Sequence, residues 1–103
     1  MTEIRYPTDA LEEHSGDHPA DVVETAKRIA MLDEAWVSGK KPEGIAAAAL
    51  YLAYRIERPT ASPWDKGTAT QSSLAEEFDT STVTVRKRRK HLAELVDALE
   101  SGS

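Results

Sequence analysis

Positions 82–90 read Thr82-Val83-Thr84-Val85-Arg86-Lys87-Arg88-Arg89-Lys90, small β-branched residues followed by five consecutive bases. These residue types suit duplex nucleic acid. An arginine donates two parallel hydrogen bonds to guanine O6 and N7, and a valine or threonine packs a methyl against thymine. Basic side chains also neutralise phosphates, and free amides at a helix start, as at Ser81-Thr82 or Thr70-Gln71, donate hydrogen bonds to phosphate oxygens. On a helix turning about 100° per residue, Val85, Leu92, Val96 and Leu99 form one inward stripe. Val83, Arg86, Lys87 and Lys90 then point outward, with Arg88 and Arg89 flanking the stripe. The competing reading is a solvated face, its five bases balanced by Glu76, Glu77, Glu94 and Asp97.

The elements around this segment make the first reading the stronger one. Residues 71–78 predict a short helix with Thr70 as N-cap and Leu74, Ala75 and Phe78 on one face. Asp79-Thr80-Ser81 supplies a turn, and Ser81 is placed to cap a second helix over residues 82–99. A short helix, a tight turn and a longer helix that becomes basic is the pattern of a helix-turn-helix.

Upstream, the apolar residues Val22, Val23, Ala26, Ile29, Ala30, Leu32, Trp36 and Val37 recur at three- and four-residue steps and predict a helix over residues 21–37. Pro19 suits its first turn and Gly39 its end. Pro42 opens the next helix, over residues 43–56, which is apolar on every side from Gly44 to Ala53. Such a helix belongs in the centre of a bundle, where its alanines let neighbouring backbones approach. Residues 57–69, with Pro59, Pro63 and Gly67, predict a long loop from which Trp64 folds back. Trp36 and Trp64 are expected as packing anchors, and Tyr51 and Tyr54 as core or core-edge residues. Residues 100–103 are expected to fray. No segment has the alternation of a strand, so the class is all-α.

At 103 residues, 40% hydrophobic and 30% charged, the chain is sized for one globular domain. It has no cysteine, which excludes disulfides, thiolate zinc sites and a cysteine nucleophile. No glycine loop for phosphates, paired acids or Ser-His-Asp order supports catalysis, so a non-enzyme without cofactors is expected. His14 and His18 have helical metal-ligand spacing, but Gly16 and Pro19 interrupt any helix and a third ligand is lacking; both read as surface residues. His91 reads as solvated, with a phosphate-facing side chain as the alternative. The start of the chain is too polar for a signal peptide, and no stretch reaches membrane-spanning length, so the cytoplasm is the expected location.

The net charge of −5 argues against nucleic acid if taken whole, but the charges are segregated. Residues 1–24 hold seven acids against the single base Arg5, whereas residues 86–90 hold no acid. This is a repelling body with one attractive edge.

Three blocks resemble a known family in order. Lys41-Pro42-Glu43-Gly44-Ile45-Ala46-Ala47-Ala48-Ala49-Leu50-Tyr51-Leu52-Ala53 is similar to the central helix of the second cyclin-type repeat of archaeal transcription initiation factor B, with its S-P-x-G-I-A-A-A-A-L-Y-x-A pattern. Thr70-Gln71 with Leu74-Ala75-Glu76 resembles T-Q-x-x-V-A-E. Val83-Thr84-Val85-Arg86-Lys87-Arg88, with Lys90 and Leu92, resembles the V-T-I-R-x-R-x-K-x-L recognition helix.

The resemblance implies a single cyclin-like bundle of about five helices over residues 20–99, ending in a helix-turn-helix at 70–99. Ahead of it lies an acidic segment, residues 1–19, whose only apolar material at 6–15 is Tyr6, Ala10 and Leu11, enough for a short first helix at most. By position it implies Val83 and Arg86 at base edges, and Thr70, Gln71 and Thr84 on phosphates or sugars; the free amides at the helix start and the outward basic face add Thr82, Lys87 and Lys90 to the expected DNA-backbone contacts. The implied partners are double-stranded promoter DNA and the TATA-binding protein. Three features depart from the family: the loop at 57–69 is longer than its usual short connection, Asp79 stands where glycine is common, and Lys87 and Arg89 make the helix more basic. Without cysteines for the zinc ribbon, and with room for one repeat, the chain is not a complete initiation factor. The expectation is a DNA-binding protein acting in or regulating transcription initiation. The alternative is a module that binds the TATA-binding protein or another factor without touching DNA, which a shared exposed patch of Trp64 and Tyr54 would favour.

Overall fold

The computed structural model describes residues 6–32, 42–57 and 71–101, and among these it holds five α-helices and no strand. They are α1 (Pro7–Glu13), α2 (Ala20–Ala30), α3 (Pro42–Glu57), α4 (Gln71–Glu77) and α5 (Thr82–Ser101), with one 3₁₀ turn at Ser15–Asp17. Thr70, Trp36, Trp64, Gly39 and the loop expected at 57–69, apart from Glu57, lie outside the described residues.

α3 is the axis of the bundle, and each of the other four helices packs on it. Ile45, Ala46, Ala47, Ala48, Ala49 and Ala53 are wholly inaccessible to solvent, so the helix is covered on all sides as its composition predicts. Alanine is a strong helix former that presents only a methyl, so α3 holds its own shape while neighbours approach closely. Ala10 and Leu11 from α1, Val22, Ala26, Ile29 and Ala30 from α2, Leu74 and Ala75 from α4, Phe78, and Val85 and Leu92 from α5 complete one core. Tyr54 belongs to it and Tyr51 packs at its edge, as expected.

The first helix forms despite its sparse apolar content. Pro7 occupies the first turn, and Asp9 Oδ2 accepts the Tyr6 backbone N–H at 3.1 Å. Glu12 receives a hydrogen bond from Lys27 Nζ, which ties α1 to α2 and raises the pKa of the lysine. Thr25 Oγ1 donates to Glu57 Oε1 at 2.7 Å and ties α2 to α3.

Two expectations about helix ends need correction. α2 ends at Ala30 and Met31-Leu32 form a turn, as Leu32 N–H tightens onto the Ile29 carbonyl at 3.0 Å, while residues 33–37 of the expected helix lie outside the described residues. The buried stripe calls next for apolar residues at 33 and 34, and the sequence offers Asp33 and Glu34. Pro19 lies one residue outside this helix, as an extended N-cap whose carbonyl accepts the Val23 N–H at 3.0 Å. α5 in turn stays helical through Ser101, yet Leu99 is 58% exposed rather than inward. Its stripe is fully buried only as far as Leu92, with Val96 partly covered.

Because α3 has no free side, added volume there must push a neighbour away. Ala48→Leu is expected to lower stability by about 1–3 kcal/mol. Chemical denaturation should show a lower midpoint with an unchanged slope.

Candidate nucleic-acid interface

The turn between α4 and α5 is built from backbone hydrogen bonds. Thr80 N–H reaches the Ala75 carbonyl at 2.8 Å, and Asp79 N–H reaches Glu76 at 3.2 Å. This is the Schellman closure of a helix, with Asp79 in the left-handed region at φ 53°. Aspartate tolerates that region better than most side chains, so it performs the turn that glycine would perform. α5 then starts on Ser81, whose Oγ accepts the Thr84 N–H at 3.1 Å, the predicted N-cap. Ser81 Oγ and Thr84 Oγ1 also pair at 2.8 Å on the exposed side of the turn.

With the start fixed, the faces of α5 are fixed too. Val85 and Leu92 are fully buried, and on the opposite side Val83 is 57% exposed. Arg86, Lys87 and Lys90 are exposed beside it, while Arg88 and Arg89 are half-buried flanks. The structure therefore brings Val83, Arg86, Lys87 and Lys90 onto one surface. Thr82, Thr84 and Gln71 are half-buried at the starts of their helices. Arg89 differs from its neighbours, because its Nε is buried with no hydrogen-bond partner.

Among the described residues, none of Arg86, Lys87 and Lys90 forms an ion pair. Glu77, one of the acids expected to balance them, faces the other way. Its Oε2 lies 2.7 Å from His18 Nε2 and 3.3 Å from His14 Nδ1. His18 Nδ1 meets the Tyr54 hydroxyl at 2.5 Å, and the His14 ring packs against Phe78 with centroids 4.3 Å apart.

This network corrects the surface reading of the two histidines. The His18 side chain is only 7% exposed, because the 3₁₀ turn after α1 lays it between α3 and the end of α4. Sequence spacing could not reveal it, since its partners lie 36 and 59 residues away. Among the described residues, no group of three His, Cys, Asp or Glu side chains is placed to hold a metal ion. His91 is exposed, as expected. Tyr54 is buried, so it cannot contribute to an exposed docking patch with Trp64.

The comparisons with known proteins agree with this architecture. The family model for the transcription factor TFIIB repeat matches residues 13–98. The transcription initiation factors IIB of Pyrococcus furiosus and Pyrococcus woesei are each 35% identical over 92 residues, which is 85% of this chain and 28% of the relative. The chain thus spans under a third of the length of these curated relatives. Among the described residues, no helix is long and apolar enough to cross a membrane.

Four substitutions test the local construction. Asp79→Val should cost at least about 1 kcal/mol, the strain of a branched side chain at positive φ, while Asp79→Gly should leave the melting temperature unchanged or higher. His18→Ala should cost about 1–3 kcal/mol, because it strips a partner from the buried Tyr54 hydroxyl and from Glu77. Tyr54→Phe, which removes one of these hydrogen bonds, should cost about 1 kcal/mol by the same denaturation measurement.

Proposed function

Because the chain belongs to the transcription factor TFIIB repeat family, a family of transcription initiation factors, we propose that it reads duplex promoter DNA with the first three turns of α5. The observation that carries this reading is the cluster of Arg86, Lys87 and Lys90, without ion pairs and flanked by the exposed Val83 on the outward face of α5. Seated in the major groove, Arg86 donates to guanine O6 and N7, and Val83 packs against a thymine methyl. Lys87 and Lys90 neutralise phosphates. Gln71, Thr82 and Thr84, with Thr70 just before them, set the register through phosphate and sugar contacts.

Charge supports the same orientation. The acids of α1 and early α2 stand on helices packed chiefly against α3, with α2 also touching α5, whereas residues 86–90 hold no acid. Lower down α5, the exposed Glu94 and Asp97 limit the attractive area to about the length of one groove contact. The family resemblance adds the TATA-binding protein as a protein partner, and its addition to the DNA titration tests for a joint complex.

The decisive experiment titrates the protein with a duplex carrying a TATA box and its flanking promoter element, and with a scrambled duplex, over a salt series. Tighter binding to the promoter duplex is expected, with a log–log salt slope of about −2 for the two phosphates neutralised by Lys87 and Lys90. Arg86→Ala should remove about 1–3 kcal/mol of the preference, whereas Lys90→Ala should weaken both duplexes alike and reduce the slope by about 1. Absence of binding to either duplex at low salt would overturn the reading and leave a protein-interaction module in its place.

A further inference from the structure

Gly44 sits in the first turn of α3, fully surrounded, although glycine is among the poorest helix formers. What surrounds it is the reading element itself. A Cβ at Gly44 would lie 2.7 Å from Thr84 Cγ2 and 3.6 Å from Thr80 Oγ1. The first distance is shorter than real Cβ contacts, so a methyl there must displace the start of α5 or the Thr84 side chain. Thr84 has little freedom to yield. It is branched at Cβ and therefore stiff at χ1, and its hydroxyl is paired with Ser81 Oγ at 2.8 Å.

We infer that Gly44 and Thr84 are positioning residues for base reading: the bare Cα of Gly44 accepts the Thr84 methyl, and this contact fixes the height and pitch at which the first turn of α5 leaves the bundle. The inference rests on the DNA reading proposed above and goes beyond it, by naming the interior contact that sets the register of Val83 and Arg86. Thr84 is adjacent to Val83 and two residues from Arg86, so a shift at Thr84 moves both of them. A bidentate arginine contact tolerates such displacement poorly, because its two hydrogen bonds must meet O6 and N7 together. The lysine contacts tolerate it well, since an ammonium on a flexible stem follows a phosphate as a point charge. Disturbing Gly44 should therefore erode preference before affinity. Loss of a purely structural contact would weaken both duplexes in proportion.

The test uses the full chain and the same promoter and scrambled duplexes. Gly44→Ala should reduce the preference ratio about tenfold, within the discrimination of one bidentate pair, with the salt slope unchanged. Thr84→Ser removes the opposing methyl and keeps the hydroxyl for Ser81. Alone it supplies the reference ratio for a chain without that methyl, and combined with Gly44→Ala it should return the ratio to that reference. An unchanged ratio in Gly44→Ala, or a double variant no better than the single one, would overturn the inference. If Gly44→Ala does not fold, the double variant decides: folding with the reference ratio supports the contact, and failure to fold refutes it. If the unmodified protein shows no DNA preference, the functional reading fails by itself. Amide chemical shifts of residues 83–87 then decide the contact, which requires displacement in Gly44→Ala and return in the double variant.

Discussion

The constraint on which the molecule depends is the burial of α3 on every side. A helix with no solvent-facing stripe needs neighbours all round, and a chain of 103 residues can supply them only by wrapping all its other helices about that axis. Alanine makes this feasible, since four inaccessible methyls from Ala46 to Ala49 let surrounding helices come close without long side chains to interlock. The cost is intolerance: no position along the middle of α3 has spare volume. The orientation of α4 and α5 is inherited from that packing, because Leu74, Ala75, Phe78, Val85 and Leu92 all insert into the same core.

Surface chemistry follows from the same geometry. Once Val85 and Leu92 are buried, Val83, Arg86, Lys87 and Lys90 have no inward direction left to them. Glu77 would be the obvious counter-charge from α4, but His14 and His18 draw it to the opposite side, where His18 also engages Tyr54 of the axis. The segment at 14–18 thus contributes to the basic face without being part of it. It holds Glu77 and so pins the end of α4 just before the turn that launches α5.

Much of this was legible in the sequence because it is local. The apolar composition of α3, the Ser81 cap, the Val85 and Leu92 stripe and the outward bases each follow from neighbours within a few residues, as does the order of the three family-like blocks. What escaped notice depends on contacts across long sequence separations or on where packing runs out. His18 reads as a surface residue until Tyr54 and Glu77 arrive from other helices. Leu99 continues the stripe of α5 in sequence, yet the core does not enclose it. The shortening of α2 has a signal in Asp33 and Glu34, which break the stripe. Asp79 departs from the glycine expected of the family but adopts the left-handed turn anyway, a tolerance that type alone suggests and only φ confirms. Gly44 has a helix-breaking type in a helical place, and that conflict was the sole hint of its contact with Thr84.

The central claim is that the bundle presents the start of α5 to DNA. Amide chemical-shift mapping during titration with the promoter duplex tests it most directly, since it locates the contact without altering the protein. The account predicts shifts concentrated at residues 80–91 and at the start of α4, with α1 and α2 unmoved. Shifts centred on α1 and α2, or a spectrum unchanged by DNA at low salt, would contradict it.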